Sequence, residues 1–170
     1  MQAEIRTEIP KPTEKKKKYD VIIIGSGPAG YTAGIYTSRA KRDTLIISGV
    51  LPGGQLMLTT EVENYPGFEN GIFGPELMSI MRKQTERMGA AIVDDEVVDV
   101  DFKHRPFKVL TPSEEYESDA VIICTGANPR KIGAKGELEF GGKGVSYCAD
   151  RKSTRLNSSH IQKSRMPSSA

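Results

Sequence analysis

Four consecutive β-branched residues run straight into a glycine-rich turn at Tyr19 to Gly30, YDVIIIGSGPAG, and this stretch constrains the fold more than any other. Val21 to Ile24 is too short a run for a helix and apolar on both faces, as a central parallel strand requires. Gly25, Gly27 and Gly30 follow at the G-x-G-x-x-G spacing. The first glycine permits a tight turn, the second lets backbone amides approach a pyrophosphate, and the third lets a helix pack closely on the strand. Pro28 falls near the first helical position, where a missing N–H costs nothing. Ala29, Ala33, Tyr36 and Ala40 are spaced as a small-residue face for that helix to turn toward a sheet. The helix N-terminus then offers unpaired amides and a positive dipole end to a phosphate. A bare glycine turn with no ligand is the competing reading, and the flanking strand and helix weigh against it.

The surrounding elements extend this start into an α/β domain. Thr44 to Ile47 reads as a second strand completing a βαβ unit. At its end, where an acid often holds a ribose hydroxyl, stands Ser48. Residues 51 to 78 are interrupted by glycines and prolines yet carry Leu56, Leu58, Tyr65, Phe68 and Phe73, which suits a loop wrapping a ligand. Pro75 to Met88 returns to a helical period, with Leu77, Met78, Met81 and Met88 on one face and Gly89 as a stop. The methionines read as core filler. From Ala91 the period becomes two, and short strands at 91–93, 97–101, 106–110 and around Tyr116 suggest an antiparallel meander. Ala120 to Cys124 reads as a further parallel strand returning to the first sheet, with Cys124 a small buried hydrophobe. His104 lies in a turn and reads as exposed.

Charge narrows the partners. The net +2 is misleading, because residues 1–18 carry +3 and residues 150–170 carry +4, leaving −5 on the body. An acidic body argues against a nucleic-acid surface, and the Lys15 to Lys18 run reads as a solvated, disordered basic tail over residues 1–18. No apolar run is long enough to span a membrane and none resembles a signal peptide, so a cytoplasmic location is expected. Two cysteines, Cys124 and Cys148, do not make a disulfide framework.

From Tyr19 to Ala149 the chain resembles the low-molecular-weight thioredoxin reductases, FAD-containing members of the pyridine nucleotide-disulfide oxidoreductase group. The resemblance rests on GSGPAG (25–30), GGQL (53–56), TTEVENYPGF (59–68), GPELM (74–78), ICTGA (123–127) and GKGVSYCA (142–149). It implies an FAD/NAD(P)-binding, Rossmann-like fold, with a parallel sheet, a βαβ start and a meander across it. It implies FAD with its pyrophosphate on the turn Gly25, Ser26, Gly27, Pro28, Ala29 and Gly30. Ser48 and Gly49 would lie near the adenosine, and Gly54, Gln55 and Leu56 along the flavin. Asn64 would bond the flavin ring and Val97 would offer backbone to adenine, while Thr125, Gly126 and Ala127 would close over the cofactor. The activity implied is electron transfer from NADPH to FAD, then to a C-x-x-C disulfide, then to thioredoxin, in a homodimer.

Cys148 matches the first cysteine of that pair, and Arg151 stands where the family has the second. Residues 150–170, DRKSTRLNSSHIQKSRMPSSA, have no apolar period and read as translated sequencing adapter rather than native protein. The expected organisation is therefore a tail at 1–18, the N-terminal segment of an FAD domain at 19–128, a linker and the start of a second, redox-disulfide domain at 129–149, and a foreign tail. On this reading the chain is an inactive N-terminal fragment. The alternatives are a sister FAD-dependent reductase linked to ferredoxin or a peroxiredoxin, or a flavin-binding module without turnover.

Overall fold

The structure, a computed structural model, describes residues 17–128, 130–140 and 145. Cys148, Arg151 and the whole of 150–170 lie outside the described residues, as does most of the basic tail. The chain divides into two compact units, one ending at Gly126 and one beginning at Ala127.

The first unit opens with β1 (Lys18–Ile24), α1 (Pro28–Arg39) and β2 (Thr44–Ile47), the βαβ start that the glycine spacing requires. A single 3-10 turn (Gly54–Leu58) and a two-residue hairpin, β3 (Glu61–Val62) with β4 (Ile72–Phe73), give the long loop its shape. Then follow α2 (Gly74–Arg87), β5 (Ala91–Val93), β6 (Asp99–Asp101), β7 (Phe107–Leu110) and β8 (Glu115–Ile123). The principal sheet has six strands in the order β5-β2-β1-β8-β7-β6. β1 lies between β2 and β8, parallel to both, and β7 pairs antiparallel with β8 on one side and with β6 on the other.

Three details differ from the sequence reading. Ala91 to Val93 is not part of the meander: it pairs parallel with β2 at the sheet edge, Ile46 opposite Ile92. Three apolar residues after a helix fit a parallel crossover as well as a hairpin, and only the pairing decides. The segment around Tyr116 and the apolar run from Ala120 are one strand, β8, whose first half pairs with β7 while most of its length pairs with β1. Finally, β1 begins at Lys18, and Lys17 is tied down as well, its carbonyl accepting from the Glu117 N–H and its Nζ lying 3.0 Å from Glu114.

α1 packs through a different face from the one its small residues suggested. Ala29, Tyr36 and Ala40 are exposed, Tyr36 at 68%, and of that face Ala33 alone packs on the core, whereas Gly30, Tyr31 and Gly34 are buried. A Cβ on Gly34 would stand 2.7 Å from Ile46 Cδ1 and 2.9 Å from Thr85 Cγ2, so the backbone of α1 itself approaches β2 and α2. Tyr31 joins Val21, Ile23, Ile46, Leu77, Met78 and Met81 in one core cluster, in which the methionines do act as filler. A second cluster joins Ile22, Leu45 and Ile47 to Tyr19, Val109 and Tyr116, so the antiparallel strands share a core with the parallel ones. α2 stops at Met88, with Gly89 at φ +107 supplying the left-handed residue that ends it.

In the second unit, Glu137 organises a tight turn. Its carboxylate accepts from the backbone N–H groups of Ile132, Gly133 and Ala134, and the residue is 6% exposed. No helix among the described residues is long and apolar enough to cross a membrane.

Candidate dinucleotide-binding site

The carboxyl ends of β1, β2 and β8 converge on the glycine turn, the place where an open parallel sheet offers its binding crevice. Gly25 has φ +108 and donates its N–H to the Ile47 carbonyl at 2.8 Å. A Cβ there would stand 2.3 Å from the Cys124 carbonyl oxygen, so β8 seals one side of the turn. A Cβ on Gly30 would stand 2.0 Å from the Gly25 carbonyl oxygen, so the first turn of α1 sits directly on the bend. Gly27 differs: nothing lies within 4 Å of its missing Cβ. Two of the three glycines are therefore explained by packing, and the third faces open space at a helix N-terminus.

The loop at 53–56 borders that space. A Cβ on Gly54 would meet the Gly27 Cα at 3.3 Å, so the two glycine stretches are brought together. Gln55 is exposed and Leu56 is half-buried against the first core cluster. Gly49 lies beyond the end of β2 with φ +83, open space at its Cβ position, and its N–H on the Asp95 carbonyl at 2.9 Å. Thr125 and Gly126 leave the end of β8 exposed, Gly126 at φ +68 with nothing near its Cβ position. Pro28 opens α1, and Ala29 is exposed beside it. Val97 packs half-buried against the second core cluster. Asn64 is exposed on the 63–69 loop, which lines an open concavity of about 560 Å³. Ala127 is an exposed residue of the second unit.

Ser26 and Ser48 are placed otherwise than as simple ligand contacts. Ser26 is 2% exposed; its Oγ donates to the Ser48 carbonyl at 2.9 Å and accepts from the Gly53 N–H at 2.9 Å. Ser48 is 3% exposed, its backbone N–H held by the Val93 carbonyl. Behind Ser26 lies a group of side chains that sequence reasoning did not single out. Tyr31, 1% exposed, has its phenol near the Ser26 hydroxyl and the Arg82 guanidinium, and burial pushes that phenol above the ordinary range. Arg82 makes a bidentate pair with Asp94, 2.8 and 2.9 Å, and bonds Glu86 at 3.1 Å. That pairing holds the Asp94 carboxyl below its usual range and raises the guanidinium above its own. The i, i+4 spacing of Arg82 and Glu86 was the available signal, and the Asp94 link was not visible in it. A cavity of about 200 Å³ lies between Tyr31, Gly53, Met57, Met78 and Arg82.

Cys124 follows β8 half-buried, and burial raises its thiol. His104 is exposed. Among the described residues there is no cluster of side chains that could hold a metal ion.

An open amide-lined space at a helix N-terminus, framed by glycine at Gly27 and Gly54 and set at the ends of parallel strands, fits the pyrophosphate of a dinucleotide. The fold and this site define a dinucleotide-binding α/β domain. Residues 19–164 match the family model for pyridine nucleotide-disulphide oxidoreductase, and the chain belongs to that family. The match runs past Ala149 into the stretch read as foreign. A thioredoxin reductase of Rickettsia bellii is 55% identical over 130 residues, covering 76% of this chain and 42% of its own length. Among solved structures, the thioredoxin reductase of Lactococcus lactis is 46% identical with a TM-score of 0.66, covering 77% of this chain and 43% of that one. That of Streptococcus pyogenes is 41% identical with a TM-score of 0.69, covering 78% and 43%. The chain thus spans about two-fifths of the length of the relatives it matches.

Proposed function

We propose that this chain is the FAD-binding portion of a thioredoxin-disulfide reductase. The observation that carries the reading is the open space over Gly27, bordered by Gly54, in a turn whose other glycines are accounted for by packing. On this reading the amides of the turn and the positive end of α1 hold the pyrophosphate, from Gly25 through Gly30. Ser48, Gly49 and Val97 border the adenosine, Gly54, Gln55, Leu56 and Asn64 border the flavin, and Thr125 and Gly126 lie over the cofactor. FAD, when bound, supplies two-electron exchange between a nicotinamide dinucleotide and a disulfide. Residues 19–128 form the N-terminal segment of the FAD domain, and 129–149 lead into the domain bearing Cys148. In the longer protein NADPH is the reductant and thioredoxin the acceptor, and the assembly is a cytoplasmic homodimer.

The polypeptide itself does not turn over thioredoxin on this reading. Disulfide exchange needs an attacking thiol and a resolving one, and Arg151 can do neither. Cys124 is no substitute, since burial raises its thiol and so disfavours the thiolate. The test is titration of the purified chain with FAD, read by flavin fluorescence, with ADP as competitor. Saturable binding displaced by ADP is expected. No binding up to about 1 mM, a free energy weaker than about −4 kcal/mol, would overturn the reading.

A further inference from the structure

The buried hydroxyl of Ser26 joins two segments that are far apart in the chain. A serine oxygen has one proton to give and two lone pairs to accept with. The proton goes to the Ser48 carbonyl at 2.9 Å, one lone pair takes the Gly53 N–H at 2.9 Å, and the phenol of Tyr31 neighbours the same hydroxyl. The side chain is 2% exposed, so none of these bonds is made by water at the surface. Two of the partners belong to segments that border the candidate site: Ser48 directly follows β2, and Gly53 opens the loop that brings Gly54 against Gly27. Gly53 itself has φ +91, and a Cβ there would meet Met57 Cγ at 2.7 Å, so this loop is built to sit tightly. Arg82, held by both oxygens of Asp94, lines the same cavity as Tyr31.

From this arrangement we propose that Ser26 is a positioning residue. Its hydroxyl does not contact the dinucleotide but fastens the 53–56 loop to the glycine turn, so that one side chain sets the distance between the pyrophosphate and flavin-side segments of the site. Tyr31, braced by the Arg82–Asp94 pair, is the outer support of that hydroxyl. The inference rests on the FAD reading for its functional consequence, while the fastening itself is a property of the free chain.

The bond that crosses from loop to turn is the Gly53 N–H on Ser26, whereas the Gly54 N–H stays within its own loop on the Leu51 carbonyl. Removing the hydroxyl therefore frees the loop and leaves the turn, which is still held by the Gly25 N–H on Ile47 and the Cys124 N–H on Ile24. The experiment compares the full chain with Ser26→Ala and with Tyr31→Phe, a milder change that keeps the ring. In the absence of nucleotide, amide hydrogen exchange at Gly53 is expected to accelerate about tenfold in Ser26→Ala, and less in Tyr31→Phe, with the Gly25 and Cys124 amides unchanged. With nucleotide, Ser26→Ala is expected to weaken FAD about tenfold and ADP by less than about twofold, because ADP lacks the flavin end. If Ser26→Ala does not fold, the Tyr31→Phe exchange pattern decides alone. Unchanged exchange at Gly53 in the folded variants overturns the proposal. So does an equal loss of FAD and ADP affinity, which would make Ser26 a general contact. A wild-type chain that binds neither nucleotide overturns the FAD reading, and the Gly53 exchange then still decides the fastening.

Discussion

β2 and the last four residues of β8 are both short apolar runs lying parallel to β1, and their environments are opposite. Every residue of β2 is buried, with Leu45, Ile46 and Ile47 at 0% exposure. In β8, Ala120 and Ile123 are exposed, Ile123 at 64%, and Val121 and Ile122 are only half-buried. Both faces of β2 are covered: α1 packs on β1, β2 and α2, with Gly34 letting it come within contact of Ile46, while Leu45 and Ile47 join Tyr19, Val109 and Tyr116 in the second cluster. The glycines divide the same way. Gly25, Gly30 and Gly34 sit where any side chain would collide, whereas Gly27, Gly49 and Gly126 have nothing within 4 Å of a Cβ. One part of the unit is filled to the backbone, and the strand ends beside it are open. The lesson is that composition marks both parts alike, and that packing distance separates the glycines that make structure from those that leave room.

The largest expected effect falls on the filled part. Gly30→Ala would place a methyl 2.0 Å from the Gly25 carbonyl oxygen, a backbone atom that cannot swing aside. It should destabilise the chain by about 3 kcal/mol or more, measured by urea unfolding. A variant as stable as the wild type would show that the turn is not packed as described.

Next comes a direct contrast between the two strands. Leu45→Ala should cost about 2–5 kcal/mol, the usual range for a fully buried leucine. Ile123→Ala should cost less than about 1 kcal/mol, because most of that side chain is already in solvent. Equal costs would break the comparison.

The smallest stability effect belongs to the Arg82–Asp94 pair, which is partly solvated, with side chains 30% and 51% exposed. Asp94→Asn should lose no more than about 1 kcal/mol at neutral pH. The sign with pH follows from the direction of the shift. Arg82 lowers the folded-state pKa of Asp94, so the pair's contribution is present above the ordinary carboxylate value near 4 and is lost as pH falls through the lower, folded value. The melting temperature of Asp94→Asn should therefore fall less steeply than that of the wild type below about pH 4. A steeper fall would contradict the assignment.

Much of the fold was legible because local rules agreed. Four β-branched residues, a glycine turn and a proline at the first helical position each pointed to β1, the turn and α1, and the methionine period with Gly89 marked α2. What failed did so where partners decide. The packing face of α1 is not legible from its alanines, because the closest approach is made by glycine backbone at Gly30 and Gly34. The place of β5 is not legible either, because three residues, Ala91 to Val93, do not disclose which strand they will join. β8 was split because EYESD is polar and AVII is apolar, although one extended strand serves both neighbours. In the site, the glycines announced themselves by spacing. Ser26 reads in the sequence as one more residue of the pyrophosphate turn, and its bonds to residues 48 and 53, far along the chain, have no sequence signature.

The most direct measurement is on Gly27→Ala. Gly27 has φ −67 and ψ −178, a conformation open to alanine, and its Cβ position is empty. The variant should unfold within about 1 kcal/mol of the wild type, since the exchange of Gly for Ala at a helix cap is a small effect. FAD affinity should nevertheless fall at least about a hundredfold, close to 3 kcal/mol, because the new methyl occupies the space assigned to the pyrophosphate. A variant that folds normally and binds FAD as tightly as the wild type would contradict the placement of the dinucleotide on this turn.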